Sequence, residues 1–319
     1  MKYNKTAIIF GITGQDGSYL SNYLLKKNYK IIGVTRNKQT KNLHRLKKLN
    51  ILNKVYLFKG EATDLSFCKK IISSKINEIY YLSGYSSVVG SFKDPDISIK
   101  SNVLGLVNIL QIIKSKKYKT KLFNAGSGQF YGDNNKNFYN IDSKIEPQSP
   151  YGVSKAAAYW LVKIYREKYN IHCCTGVLFN HESPLRSDEF VTKKIINVSR
   201  KMKRNKKIKL QLGNVNIYRD WGWAPEYVKA FWLMLQKKKP LDLIIGTGKV
   251  YTINEFVKEV FKLQKLSSKN LKTNIKKFKR KLDIRGYRAD ISLTKKKIKW
   301  KPKTNFKSII YKMVNNELF

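Results

Sequence analysis

Short apolar runs punctuate the first half of the chain. Ala7-Ile8-Ile9-Phe10, Ile31-Ile32-Gly33-Val34-Thr35, Val55-Tyr56-Leu57-Phe58, Ile79-Tyr80-Tyr81-Leu82 and Lys121-Leu122-Phe123-Asn124 each read as a buried strand. Between them the apolar positions change to helical spacing. Tyr19, Leu20, Leu24 and Leu25 follow the first run, and a periodic stretch from Asp64 to Ile72 follows the third. A helix from about Ile97 to Lys116 is expected to turn Val103, Leu106, Ile109 and Ile112 toward the sheet. Strands alternating with helices predict an α/β chain built on a doubly wound parallel sheet. Leu243-Ile244-Ile245 predicts one more strand, so the chain is expected to return late to that sheet.

The first strand-to-helix junction carries three glycines, in Gly11-Ile12-Thr13-Gly14-Gln15-Asp16-Gly17. A side chain at Gly11 would obstruct the tight turn. One at Gly14 would hold a diphosphate off the backbone, and one at Gly17 would lift the helix from the sheet. The helix N-terminus adds unpaired N–H groups and a partial positive charge. A dinucleotide site is therefore expected here. The second strand ends in Arg36-Asn37-Lys38, with no carboxylate to hold a ribose 2′-hydroxyl. Cations at that place accept a 2′-phosphate, so NADP is expected over NAD. Gly60-Glu61-Ala62-Thr63 is placed to flank the adenine, and the small residues after Leu82 permit close approach of a cofactor.

A further helix starts near Pro150 and puts Tyr151 and Lys155 on one face, four residues apart. An ammonium beside a phenol favours the phenolate, so Lys155 is expected to lower the Tyr151 pKa and make it a base or acid near neutrality. Ser127, at the end of the neighbouring strand, would hydrogen-bond the same substrate oxygen. Behind a dinucleotide loop, this pair points to alcohol–ketone chemistry.

Composition adds bounds. A chain of 319 residues with 42% hydrophobic content can form one large unit or two smaller ones. The expected division gives residues 1–180 with 206–250 to the dinucleotide, and 181–205 with 251–319 to a smaller, discontinuous substrate unit. No apolar run of signal-peptide or bilayer-spanning length is evident, so a soluble, cytoplasmic protein with no membrane partner is expected. Cys68, Cys173 and Cys174 suit neither a disulfide framework nor a zinc site; reduced thiols and no metal are expected.

The net charge of +44 suggests nucleic acid at first sight. The lysines are spread through the chain, however, many on the polar sides of helices (Lys26, Lys27, Lys69, Lys70, Lys114). No basic region is interleaved with aromatic residues as a stacking platform would be. The densest stretch, Lys276 to Lys281, reads as a solvated face. No specific nucleic acid is expected, and the positive field would draw an anionic small molecule to a cleft. A catalytically idle nucleotide-sugar- or nucleic-acid-binding protein is the alternative that the charge motivates.

These residues look like the extended short-chain dehydrogenase/reductase superfamily, whose fold is the Rossmann fold. Within it they resemble the GDP-mannose 4,6-dehydratases. The resemblance rests on the opening block through Ser18-Tyr19-Leu20 and on Ser149-Pro150-Tyr151 with Lys155. It includes Gly176-Val177-Leu178-Phe179-Asn180-His181-Glu182-Ser183-Pro184-Leu185-Arg186 and Phe190-Val191-Thr192-Lys193-Lys194-Ile195. Leu212-Gly213-Asn214, Arg219-Asp220-Trp221-Gly222 and Trp232-Leu233-Met234-Leu235-Gln236 extend it to about Gly248. Asp283-Ile284 and Trp300-Lys301-Pro302 continue it more weakly.

The resemblance implies an NADP-dependent lyase of deoxysugar biosynthesis acting on GDP-mannose or a GDP-heptose. Such an enzyme oxidises carbon 4, eliminates water across carbons 5 and 6 and returns hydride to carbon 6. It implies that Tyr151 takes the 4-hydroxyl proton, that Lys155 holds the nicotinamide ribose and that Ser127 shares the bond to the 4-oxygen. Cofactor contacts are implied for Gly11, Thr13, Gly14, Gln15, Asp16 and Gly17 on the loop. Further ones are implied for Arg36, Glu61, Ala62, Leu82, Ser83 and Tyr85, and for Tyr151, Lys155, His181 and Arg186. The Arg186 side chain could reach a neighbouring subunit's 2′-phosphate. Substrate contacts are implied for Ser86, Ser127, Asn180, Lys194, Arg219, Arg280 and Asp283, with Arg285 the alternative phosphate ligand to Arg280. A homodimer or homotetramer is implied, paired through the helices after Asn102 and at Tyr151.

One departure bears on chemistry. The family places a glutamate two residues after the Ser127 position, to abstract the carbon-5 proton; this chain has Gln129. A carboxamide donates and accepts hydrogen bonds but is no carboxylate base. Oxidation at carbon 4 needs only Tyr151, Lys155 and the cofactor, so the alternative is a related GDP-sugar 4-oxidoreductase or epimerase without dehydration.

Overall fold

Successive side chains of a strand point to opposite faces, and that alternation decides the layering here. In β1 (Lys5–Phe10), Ala7 and Ile9 enter one apolar cluster while Ile8 and Phe10 enter another, all four fully buried. A strand covered on both faces belongs in a parallel sheet sandwiched by helices. The computed structural model describes residues 3–39, 42–133, 138–275 and 285–319. It shows that sheet with seven strands, ordered Leu243–Ile245, β6 (Cys173–Leu178), β5 (Lys121–Ser127), β4 (Glu78–Tyr81), β1, β2 (Tyr29–Thr35), β3 (Tyr56–Lys59). Every pairing in it is parallel. The six runs expected to be strands all lie in it, Leu243–Ile245 on the outer edge beside β6.

One face is covered by α1 (Gln15–Leu25) and the helix Ala224–Leu235, whose Phe231 ring stacks on Phe123 with centroids 4.6 Å apart. The other is covered by the helices Gly105–Ser115 and Pro150–Tyr169, which contribute Leu106, Ile109, Ile113 and Val162. The connections reverse direction between β1 and β4. The crevice outside their carboxyl ends is where such sheets take ligands.

The long helix differs from its expected form. It runs from Pro95 to Ser115 but is interrupted by a π-helical turn, Lys100–Leu104. The extra residue rotates the face, so Asn102 is buried and Val103 is only half-buried, whereas Leu106, Ile109 and Ile112 reach the core as expected. Polar partners hold the distortion. Asn102 donates to the Tyr85 carbonyl at 3.2 Å, and Ser101 Oγ accepts from the Tyr85 amide at 3.0 Å. The turn thereby clamps the loop after β4. The sequence also misled on a second point. By length and composition, 95–115 is apolar enough to cross a bilayer, though half of its most apolar stretch is buried inside the molecule.

A third apolar cluster lies apart from the sheet. It joins Ile195 and Met202 of the helix Val191–Arg204 to Phe256 and Val260 of Ile253–Gln264 and to Ile309 and Met313 of Phe306–Asn315. Leu210, Leu212, Val215, Ile217, Trp221 and Trp223 pack in this cluster, although the sequence reading grouped 206–250 with the sheet. The helix Ser292–Ile298 turns back to the sheet edge, where Thr294 donates to the Ile244 carbonyl at 2.5 Å. Cys68, Cys173 and Cys174 are buried, free thiols.

Candidate active site

The crevice holds a cavity of about 880 Å³ that runs from the glycine loop to Tyr287. Its floor is the loop itself. Gly11 has φ +84°, and a Cβ there would sit 2.9 Å from the Leu82 carbonyl carbon. A Cβ on Gly17 would sit 2.2 Å from the Gly11 carbonyl oxygen, so α1 lies as close to the turn as glycine permits. Gly14 is the N-cap of α1, and no side chain caps it. The first-turn N–H groups of a helix have no intrahelical partner, so this end presents donors and a positive dipole to the cavity. That is the site a diphosphate needs, and a dinucleotide fits the residues present.

Gln15 and Asp16 tie the loop to the segment after β6. Gln15 donates to the His181 carbonyl at 3.2 Å and accepts from Ser183 Oγ at 2.7 Å. His181 Nε2 lies 2.9 Å from the Asp16 carboxylate, and its ring stacks on Tyr227 at 4.5 Å. Burial pushes the Asp16 carboxyl up, but His181 and Arg186 outweigh it and leave the group below the usual carboxylate range. Arg186 lines the same cavity, with its guanidinium 3.6 Å from the Phe190 ring centre and 3.4 Å from Glu182.

Beside β2 and β3 the cavity meets Thr35, Arg36, Asn37 and Arg45, flanked by Glu61 and Ala62. Lys38 is exposed and not part of the lining. Arg45 escaped the sequence reading because it sits in no motif. The fold folds it back so that Nε donates to the Leu185 carbonyl at 2.7 Å and Nη1 to the Thr13 carbonyl at 3.1 Å.

The chemical groups converge in the middle. Ser149 caps the helix Pro150–Tyr169 by accepting from the Gly152 amide at 3.0 Å, with Pro150 in the first turn. This sets Tyr151 and Lys155 against the end of β5, where the Ser127 hydroxyl lies near enough to favour the ionised phenol. Tyr151, Lys155 and Ser127 all line the cavity and are buried.

The expected effect of Lys155 on Tyr151 is not what the structure shows. Burial pushes the Tyr151 phenol up to about 12, and the Ser127 hydroxyl offsets only part of that. Burial brings Lys155 down to about 8. The ammonium is turned aside, donating to the Ala125 carbonyl at 2.8 Å, with Nζ 5.8 Å from the Tyr151 ring centre. In this state desolvation outweighs the charge pairing that the spacing suggested.

Leu82, Ser83, Tyr85 and Ser86 form the wall on the side of β4, and Asn180 and Gln129 lie toward Tyr287. Gln129 Nε2 donates to the Tyr287 hydroxyl, which in turn donates to Asn180 Oδ1 at 3.4 Å. Tyr287 is the second residue that sequence reasoning missed. It comes from the far end of the chain, near no recognisable motif. Arg219 is buried beside it, its guanidinium 5.4 Å from the Tyr287 ring centre, but does not itself line the cavity. Lys194 also stands outside the lining, donating to the Gln211 carbonyl at 3.0 Å. Arg280 and Asp283, and the basic stretch from Lys276 to Lys281, lie outside the described residues. Among the described residues no three side chains are grouped to hold a metal ion.

Comparison with known proteins agrees with this geometry. The family model described as GDP-mannose 4,6 dehydratase matches residues 8–313. GDP-mannose 4,6 dehydratase 1 of Arabidopsis thaliana is 35% identical, with 100% of this chain and 91% of the relative covered. The Dictyostelium discoideum enzyme is 36% identical over 98% of this chain and 96% of its own. The Homo sapiens enzyme is 33% identical over 99% and 92%. Among solved structures, a UDP-glucose 4-epimerase from Thermotoga maritima superposes with a TM-score of 0.85 at 21% identity, covering 97% of both chains. A dTDP-glucose 4,6-dehydratase from Bacillus anthracis, in complex with NAD, gives 0.83 at 22% identity over 98% and 96%. With a glycine-loop crevice, a buried Ser–Tyr–Lys set and a family match that runs almost end to end, the chain belongs to the GDP-mannose 4,6 dehydratase family.

Proposed function

We propose that this protein is an NADP-dependent 4,6-dehydratase of a GDP-hexose, with GDP-mannose the first substrate to try. The observation that carries this reading is the placement of Tyr151, Ser127 and Lys155 in one cavity with the uncapped N-terminus of α1. Bound there, the dinucleotide would supply a hydride acceptor for carbon 4 and a donor for carbon 6. The rest belongs to the chain. Tyr151 takes the proton of the sugar 4-hydroxyl, and Ser127 shares the hydrogen bond that orients that oxygen. Lys155, once drawn from the Ala125 carbonyl to the ribose, brings its positive charge to bear on the phenol. Incubation with GDP-mannose and NADP should yield a nucleotide sugar lighter by one water. Folded protein that binds NADP and leaves the sugar mass unchanged would reject the dehydratase reading. In that event Gln129 favours the second one, an oxidoreductase or epimerase that stops at the 4-keto sugar.

The choice of NADP rests on the cationic end of the cavity. The last residues of β2 offer no carboxylate, and Arg36 with Arg45 line the cavity beside them. Replacing Arg45 by alanine removes a charged donor, a loss on the order of 10- to 100-fold in affinity for NADP, with a smaller loss for NAD because Arg45 also holds the Thr13 carbonyl of the loop. Titration of both dinucleotides checks it; equal losses for the two would count against a 2′-phosphate site. The buried, free thiols suit a reducing, cytoplasmic location.

A homo-oligomer is also proposed. Phe92, Ile97, Ile99 and Leu104 lie exposed near Val153, Trp160 and Ile164 of the adjoining helix, an apolar face suited to a second copy. Sedimentation velocity should show at least a dimer, and Trp160→Glu should shift it toward monomer. A native chain that sediments as a monomer would refute it.

A further inference from the structure

We propose that Tyr287, hydrogen-bonded to Gln129, transfers the proton in the elimination of water, a role that the carboxamide of Gln129 cannot fill. The proposal rests on the dehydratase reading above and deepens it. Tyr287 is 3% exposed yet lines the cavity, and its hydroxyl is bonded to Gln129 and Asn180, which line the cavity too. Its ring is fixed edge-on against Phe179, with centroids 5.2 Å apart. The neighbouring backbone is anchored too: the Ala289 amide donates to the buried Asp220 carboxylate at 3.2 Å. Around the hydroxyl the hydrogen bonds form a directed chain. The Gln129 amide donates to the phenol oxygen, and the phenol O–H points to Asn180 Oδ1. An N–H aimed at a phenol oxygen stabilises the oxygen when its proton leaves. The guanidinium of Arg219 lies 5.4 Å from the ring centre.

The step balances within one residue. After oxidation at carbon 4, the ketone makes the carbon-5 hydrogen acidic. The phenol O–H gives its proton to the carbon-6 oxygen, which leaves as water. In the same step the phenol oxygen takes the carbon-5 proton. The electron pair of the C5–H bond becomes the C5–C6 double bond as the C6–O bond breaks. Tyr287 ends the elimination protonated, as it began. Gln129 is the positioning residue: it never carries the proton, but fixes the phenol and favours its anion.

The test uses the full chain with GDP-mannose and NADP, in Tyr287→Phe. That variant keeps the ring and its packing. Water loss should fall about 100-fold or more, the ordinary cost of removing an acid–base group. Reduced nicotinamide and a 4-keto sugar of unchanged carbon 6 should accumulate in a single turnover. Exchange of the carbon-5 hydrogen with deuterium oxide should fall in step with water loss. Adding Gln129→Glu to Tyr287→Phe should restore water loss through the new carboxylate. Gln129→Met, which leaves the phenol in place, should slow water loss about 10-fold, the cost of one hydrogen bond to an ion.

Native rates of water loss in Tyr287→Phe would overturn the proposal. So would a native protein that reduces the nicotinamide but never releases water, although carbon-4 oxidation would then stand. Absence of nicotinamide reduction in the native protein would remove the dehydratase reading, and the role of Tyr287 with it.

Discussion

Tyr151→Phe should lower kcat/KM for the carbon-4 oxidation on the order of 100- to 10,000-fold, while dinucleotide affinity changes little. The phenyl ring refills the same buried position, so the loss reports the oxygen alone. The pH profile of the native protein gives a sharper check. In the free protein burial holds the phenol at about 12 and the ammonium of Lys155 at about 8. Below about pH 8 the lysine is charged, and the phenolate fraction rises tenfold per pH unit. Above that value the charged fraction of Lys155 falls as fast as the phenolate fraction grows. The product of the two is level until the phenol itself titrates. Rates at limiting dinucleotide and sugar, which report the free protein, should therefore climb with unit slope through neutrality and flatten near pH 8. A profile already flat from pH 6, on the order of two units below that value, would mean that Lys155 dominates burial in the free protein, contrary to the geometry.

Gly17→Ala should be nearly as damaging, but through the frame. Its Cβ would lie 2.2 Å from the Gly11 oxygen and 2.7 Å from Ile12 Cα, both backbone atoms that no side-chain rotation relieves. That oxygen also accepts from the Gly14 amide at 3.0 Å, so moving it loosens the turn. Overpacking of this kind costs roughly 1–3 kcal/mol of stability. A helix end displaced by about 1 Å can cost on the order of 100-fold in function. Thermal unfolding and NADP titration read the two effects. Gly14→Ala separates them, because its Cβ meets only the Gly11 oxygen, at 3.2 Å. It should lose dinucleotide affinity with a smaller loss of stability. Native affinity in Gly17→Ala would show that α1 can withdraw without disturbing the loop.

These effects trace to different layers of the chain. Residues such as Ile8, Phe10, Ile79 and Leu122 are apolar because both faces of their strands are covered, so the strands and their parallel arrangement were legible from short runs alone. Gly11, Gly14 and Gly17 were legible because backbone geometry admits nothing larger there, a local constraint that leaves a local mark. Tyr151 and Lys155 share a helical face by spacing, and Ser127 ends the neighbouring strand. Family membership followed from the same blocks.

Other features have no local mark. The π turn at Lys100–Leu104 depends on Ser101 and Asn102 finding the backbone of Tyr85, a contact between segments far apart in sequence. Arg45 and Tyr287 reach the cavity only because loops bring them there. The strengths of Tyr151 and Lys155 as acids were misjudged for the same reason: spacing shows which groups are neighbours, but burial is a property of the packed whole. The sequence by itself determined the sheet, the glycine turn and the shared helical face of Tyr151 and Lys155, since each is written in residues next to one another or at a fixed helical period. Only the tertiary structure decided the electrostatic setting of the Tyr151 phenol and placed Tyr287 against Gln129, because desolvation and long-range contact arise when distant segments close around the same cavity.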